Sequence, residues 1–303
     1  MEKKQEWLRE RKNYLGGTDL AAICGLNRYM TALDVYLDKT NADIADEVMT
    51  DAPYWGMVLE PLIAAEYEKR TGNLVTDRNC FIRHKEHNFI ACNIDAWIGE
   101  NDYVLECKTA GFTKGKEWGE IGTDQIPESY LVQVAYYAAI CDVPKVDIAV
   151  LIGGQDFRIY IYERSKELEE KLIKIACNFW YNHIEKRIPP RCVNTRDTFN
   201  LFPQSNYQEI VAEDNIIKKL EELKMAKLAE EQIQETIEKL KVEIQEFMRD
   251  YDVLIDINGN VIATWKNTAP RSLVDQKKLK EKYNEVYLQC TVPCKQSRMF
   301  LVK

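Results

Sequence analysis

The stretch F-I-A-C-N-I-D-A-W-I-G-E-N-D-Y-V-L-E-C-K, Phe89 to Lys108, decides how this chain is read. Phe89–Ile98 has the apolar, β-branched and aromatic content of a strand. Gly99-Glu100-Asn101-Asp102 is turn chemistry, and Tyr103–Lys108 is strand-like again. A four-residue loop pairs Ile98 with Tyr103 and sets Asp95 directly opposite Glu106. Opposed Cβ atoms stand about 4.5–5.5 Å apart, where like charges repel. Strand periodicity puts Lys108 on the face of Glu106 and turns Cys107 to the other. Phe89, Ile90, Ile94, Val104 and Leu105 predict a largely buried hairpin, in which unpaired carboxylates are costly. One reading is an ion pair on the solvated face of a surface hairpin. The other is a divalent cation between the carboxylates, the outline of a metal-dependent phosphodiesterase site.

The rest of the composition frames that choice. Hydrophobic residues make up 46% of the 303 and charged residues 30%, as in a soluble globular protein. The opening MEKKQEWLRERK is too charged for a secretory signal, and no apolar run reaches membrane-spanning length. Nine cysteines without short, even spacings suit reduced thiols in a cytoplasmic setting. The net charge of −8 argues against bulk electrostatic attraction to nucleic acid, although a metal site is itself acidic and phosphate-binding groups are local.

Two regions differ in character. Residues 1–205 mix helical and strand patterns, including the strand-like DIAVLI (Asp147–Ile152) and FRIYIY (Phe157–Tyr162). Arg191–Asn206 reads as a connector, and residues 206–303 as an extension. Within the extension, Glu209–Arg249 is rich in Lys and Glu and lacks Gly and Pro. Its Ile233, Ile237, Leu240, Ile244 and Phe247 alternate steps of four and three, the coiled-coil pattern. Val253–Trp265, with Asn258-Gly259 between apolar runs, predicts a β-hairpin. The expected architecture is an α/β (α+β) core, a mixed central sheet flanked by helices, followed by a helical-hairpin, long-helix and β-hairpin extension.

Further candidates lie on both sides of the hairpin. Glu60 precedes Pro61 and is expected to open a helix that ends at Thr71-Gly72, where it would either cap the helix or supply a third carboxylate. Gln133 sits in an apolar helix, Tyr130–Ile140, and needs a buried partner; a loop carbonyl is the simplest. Arg11 and the Gly16-Gly17-Thr18 turn precede a short helix, Asp19–Cys24. They read either as an ordinary cap with a surface arginine or as a phosphate seat. Cys80, His84, His87 and Cys92 lack the paired spacing of a zinc site, and Cys290 with Cys294 is too small a set for an iron–sulfur cluster.

In order along the chain stand Arg11 with GGTD (Gly16–Asp19), WGMVLE (Trp55–Glu60), NID (Asn93–Asp95), ECK (Glu106–Lys108) and PESYLVQ (Pro127–Gln133). With these the chain resembles the YqaJ-type viral recombinases, relatives of the phage lambda exonuclease in the PD-(D/E)xK nuclease superfamily. It departs in having Ile94 where Pro is frequent, Ala135 where a second Gln is frequent, and Thr18 where Ser is commoner. The resemblance implies a restriction-endonuclease-like core and Mg²⁺ (or Mn²⁺) held by Asp95, Glu106 and the Cys107 carbonyl, with Glu60 assisting. It gives Lys108 and Gln133 to the attacking water or the scissile phosphate, and Arg11, Thr18 and Gly17 to phosphate binding. It implies 5′→3′ exonuclease action on double-stranded DNA ends, leaving 3′ tails for a single-strand annealing protein. It also implies a homo-oligomer, a trimeric ring, in a host bacterial cytoplasm. A structure-specific endonuclease on the same core, and an idle binding module, are the alternatives.

Overall fold

The computed structural model describes residues 2–41, 50–292 and 297–302. Two compact units divide the chain, Met1–Asn200 and Leu201–Lys303.

The first unit begins with α1 (Glu2–Arg11), α2 (Gly17–Ile23) and α3 (Ala32–Thr40). The Gly16 amide donates to Asp19 Oδ2 at 2.9 Å, closing the first turn of α2. That carboxylate also pairs with Lys39 Nζ at 2.9 Å, both side chains buried, and Lys39 donates to the Arg11 carbonyl at 3.0 Å. One buried ion pair thus ties the ends of α1, α2 and α3 together.

Next come α4 (Asp51–Thr71), β1 (Val75–Arg83), β2 (Ala91–Ile98) and β3 (Tyr103–Ala110), then a 3₁₀ turn at Phe112–Glu117. They are followed by α5 (Glu128–Cys141), β4 (Lys145–Ile152), β5 (Asp156–Glu163), α6 (Lys166–Phe179) and α7 (Thr195–Leu201). The five strands form one sheet in the order β1-β2-β3-β4-β5. Only the β3–β4 pair is parallel, and α5 makes the crossover between them. The expected strands and the Gly99–Asp102 loop are present, with Ile98 paired to Tyr103 and with Gly99 (φ 65°) and Asn101 (φ 71°) in left-handed turn conformations. The first strand of that hairpin is two residues shorter than expected. Phe89 lies outside it, stacked on Trp180 at 4.9 Å, and its carbonyl accepts the Leu15 amide.

Alternation along β3 sorts the two faces. Leu105 and Cys107 point to α4, where Ile63, Ala64 and Tyr67 pack with Ala96, Ile98 and Ala149 in an apolar layer. Glu106 points to α5, where Gln133 meets it. Helix α4 differs from its expected start. It begins nine residues before Glu60, and Pro61 lies inside it, so Glu60 is in mid-helix and has no capping role. Pro53 occupies the first turn, the position where the ring costs least. Packing of Ile63, Ala64 and Tyr67 holds the helix through the break in hydrogen bonding that Pro61 imposes. The Gly72 terminus, at φ 73°, is as expected.

The connector also differs. Asp197, inside it, is fully buried and accepts from Thr31 Oγ1 (2.9 Å) and the Val193 amide (3.0 Å), so the stretch as far as Asn200 belongs to the first unit.

The second unit consists of α8 (Asp214–Met248), a hairpin of β6 (Val253–Ile255) and β7 (Val261–Thr264), α9 (Gln276–Lys282) and α10 (Asn284–Gln289). The expected helical hairpin is instead a single 35-residue helix, because no Gly, Pro or turn cluster interrupts it. At the hairpin tip the Asp256 amide donates to the Asn260 carbonyl, and Gly259 takes φ 83°, which makes the turn three residues long.

Tyr67 anchors α4 to the sheet, donating from its hydroxyl to the buried Asp147 Oδ2 at 2.6 Å, while Lys145 holds Oδ1 at 2.9 Å. Tyr67→Phe leaves that carboxylate half-satisfied and should cost about 1.5–3 kcal/mol. Urea unfolding checks this; a midpoint equal to wild type would show that the hydroxyl does not anchor α4.

Candidate active site

β2 and β3 remain in register through Ala96 opposite Leu105, and there the paired ladder ends. One residue further, Asp95 turns its Oδ2 onto the Cys107 amide at 2.7 Å instead of leaving that amide to the neighbouring strand. The two strands separate at this point, and the gap opens the sheet to side chains from both faces. Glu60 reaches it from α4, Gln133 from α5, and Glu106 and Lys108 from β3. A cavity of about 280 Å³ is lined by Pro53, Glu60, Asp95, Glu106, Lys108 and Tyr130, among others.

Glu106 is buried. Its Oε1 accepts from Lys108 Nζ and from Gln133 Nε2, the latter at 2.8 Å, while its Oε2 is buried with no hydrogen-bond partner. Burial first, then the charges of Asp95 and Glu60, push the Glu106 carboxyl up to about 8 against the pull of Lys108. Glu60 is pushed up to about 7, by burial and by Asp95. Burial raises Asp95 as well, opposed by Lys108 and by the Cys107 amide. Lys108 is held charged by Glu106 and Asp95 despite its burial, with its Nζ 4.9 Å from the Tyr130 ring centroid. Three carboxylates therefore face one lysine; Asp95 makes both Glu60 and Glu106 harder to ionise, and Glu60 adds to the effect on Glu106.

This donor set suits a hard divalent cation. It is all oxygen, carries excess negative charge and leaves one buried carboxylate oxygen unsatisfied. Asp95 and Glu106 would hold the ion, Cys107 could add its carbonyl, and Glu60 lies beside them. Among the described residues no three His, Cys, Asp or Glu side chains are already gathered as a metal cage. Glu106 Oε1 is engaged by Lys108 and Gln133, and Asp95 Oδ2 by the Cys107 amide. Cys80, His84, His87 and Cys92 likewise form no cage, and Cys294 lies outside the described residues.

The other candidates fall into place unevenly. Gln133 donates to Glu106 and, at 2.8 Å, to Tyr137 Oη, so its partner is a site carboxylate and not the expected loop carbonyl. Gly17 packs on α5 so closely that a Cβ there would lie 2.7 Å from Gln133 Cγ and 2.9 Å from Tyr137. Thr18 lines a larger cleft of about 700 Å³, which shares Ala52, Thr109 and Tyr130 with the carboxylate cavity and is bordered by Arg28, Lys114 and Trp118. Arg11 lines neither cavity. The Cys107 side chain lies in the apolar layer, so only its main chain faces the site. Sequence reading passed over Tyr130 and Tyr137; their positions three before and four after Gln133, on one helix face, were the available signal.

Fold and site together give a five-stranded mixed sheet, flanked by helices, with a cluster of carboxylates and a lysine where β2 and β3 part. A profile of the YqaJ-like viral recombinase domain matches residues 6–144. The uncharacterized protein YqaJ of Bacillus subtilis (strain 168) is 33% identical over 292 residues, covering 94% of this chain and 89% of that one. The chain belongs to the YqaJ-like viral recombinase family. Among solved structures it overlaps with the alkaline exonuclease LHK-Exo of Laribacter hongkongensis, at 16% identity, 61% of this chain, 94% of that one and a TM-score of 0.47. It also overlaps with a phage-related exonuclease from Haemophilus somnus 129PT, at 14% identity, 57% of this chain, 96% of that one and a TM-score of 0.44. No helix among the described residues is long and apolar enough to cross a membrane.

The electrostatics predict a pH dependence. Folded Glu106 keeps its proton up to about 8, whereas an ordinary carboxyl loses it near 4.5. Between those values the folded state binds more protons than the unfolded one, so stability falls as pH rises through that window. Melting temperature in EDTA should decline across it, and Glu106→Gln should flatten the decline. Mg²⁺ should raise the wild-type melting temperature at the alkaline end. Equal Mg²⁺ stabilisation of Glu106→Gln would contradict the assignment of Glu106 to the ion.

Proposed function

We propose that this chain is a metal-dependent deoxyribonuclease that degrades double-stranded DNA from its ends. The observation that carries the reading is the carboxylate group of Asp95, Glu106 and Glu60 gathered around Lys108 where β2 and β3 part, with Glu106 Oε2 buried and unsatisfied. Mg²⁺ or Mn²⁺ bound there would neutralise charge on the phosphodiester oxygens and make a water molecule more acidic. The chain's own groups do the positioning. Lys108, kept charged by its neighbours, offers a positive charge to a non-bridging oxygen or to the attacking water. Gln133, fixed between Glu106 and Tyr137, presents an amide that can orient the same water. Burial of Glu106 strengthens its electrostatic interactions with these neighbours.

The finer reading is 5′→3′ polarity, with Arg11, Thr18 and Gly17 seating the terminal phosphate and the 3′ tail passing to a single-strand annealing protein. A homo-oligomer, a trimeric ring in the reading carried from the family resemblance, would keep the enzyme on its strand.

Linear duplex carrying 5′-phosphates should be degraded faster than the same duplex with 5′-hydroxyls, and closed circular DNA should resist. Loss of one charge-assisted contact, about 1.5–3 kcal/mol, predicts that Arg11→Ala slows initiation by roughly ten- to a hundredfold. Asp95→Asn should abolish cleavage. Release of nucleotides first from the 3′ end would overturn the polarity, and rapid linearisation of closed circles would make the chain an endonuclease.

A further inference from the structure

Helix α8 has a face that nothing in its own unit covers. Ile233 (61% exposed), Leu240 (53%) and Phe247 (72%) stand in the open, and so do Ile237 and Ile244 between them. In heptad terms Leu223, Ile237 and Ile244 occupy a positions, and Ala226, Ile233, Leu240 and Phe247 occupy d positions; Glu230 alone interrupts the seam between Leu223 and Phe247. The seam is roughly 36 Å long at 1.5 Å per residue. A solitary helix with such a stripe gains little from its own hydrogen bonds and needs an apolar partner of matching period.

The flanking rows indicate which partner. The g row holds Glu222, Ala229, Thr236 and Glu243, acidic or neutral throughout. The e row holds Leu220, Lys227, Gln234, Lys241 and Met248, basic or neutral throughout. Two such helices in parallel bring each g row against the partner's e row, so that Glu222 faces Lys227 of the second copy. Antiparallel packing sets g on g and e on e, which brings acid towards acid and base towards base. On the flanking rows the segregation of sign is complementary to itself in the parallel orientation only, and in register Glu230 of the seam then meets Glu230 of the second copy.

We propose that α8 is a self-association element, pairing in parallel and in register with α8 of a second copy of this chain. The inference is independent of the nuclease reading. It concerns another unit and would stand if the carboxylate site bound no metal.

Sedimentation velocity of the full-length chain over a range of concentrations tests it, with circular dichroism to confirm folding. The wild type should associate, and Ile237→Glu with Leu240→Glu should raise the dissociation constant at least about tenfold by burying charge in the seam. Because both side chains are exposed in the single chain, the variant should fold and keep its Mg²⁺-dependent rise in melting temperature. Orientation is read from a charge swap. Glu222→Lys sets lysine against Lys227 and should weaken association about threefold, and adding Lys227→Glu should restore it. A wild type that stays monomeric, or assembly unchanged by the seam variant, overturns the proposal. Tighter association of Glu222→Lys, or failure of the second swap to rescue, overturns the parallel arrangement.

Discussion

Repulsion among clustered carboxylates is the constraint around which the first unit is arranged. Asp95 raises the proton affinity of Glu60 and Glu106, Glu60 adds to that of Glu106, and one lysine does not neutralise three acids. The fold holds them together by covering both sides of the strand gap. Tyr67, bonded to Asp147, fixes α4 and with it Glu60. Close contact of Gly17 with α5 fixes Gln133, which in turn holds Glu106. The buried Asp19–Lys39 pair secures the helices from which that contact is made. The Tyr67–Asp147 bond and the Asp19–Lys39 pair are polar interactions buried at some cost in desolvation. Together they maintain an arrangement that the carboxylates alone would push apart.

Much of this was legible in the chain, for local physical reasons. The hairpin could be read because a left-handed turn of Gly99 and Asn101 fixes register, and register fixes which side chains share a face. Asp95, Glu106 and Lys108 followed from period two alone. Glu60 was found, but its setting was not. Gly56 and Pro61 look like punctuation, and only the packing of Ile63, Ala64 and Tyr67 on the sheet explains a helix that runs through both. The partner of Gln133 was misjudged because a lone polar residue on an apolar helix does not say which element packs opposite it. The divergence of β2 from β3, which lets two faces of a sheet share one cavity, has no signature in local sequence. Asp197 was missed for a similar reason, since a polar run reads as a linker until its tertiary partner Thr31 is known.

The two units show opposite uses of apolar surface. In the first, alternation along β3 and the inner faces of α4 and α5 bury nearly every large side chain that the pattern assigns to the core. In the second, a heptad pattern of comparable regularity is left uncovered by its own unit along α8. The acidic charge of the whole chain, −8, is no obstacle to the proposed substrate if the cation site offsets the acids where the phosphate must lie. Arg28 and Lys114 line the adjoining cleft, where both pair with Glu117.

The central claim is that Asp95 and Glu106 form a divalent cation site, and electron paramagnetic resonance of Mn²⁺ tests it without reference to catalysis. Titrating Mn²⁺ into the protein and following the six-line signal of the free ion measures binding directly. The account predicts saturable binding by the wild type, competition by Mg²⁺, and loss of binding in Asp95→Asn. A wild type that leaves the free-ion signal undiminished, or an Asp95→Asn variant that binds Mn²⁺ as the wild type does, would contradict it.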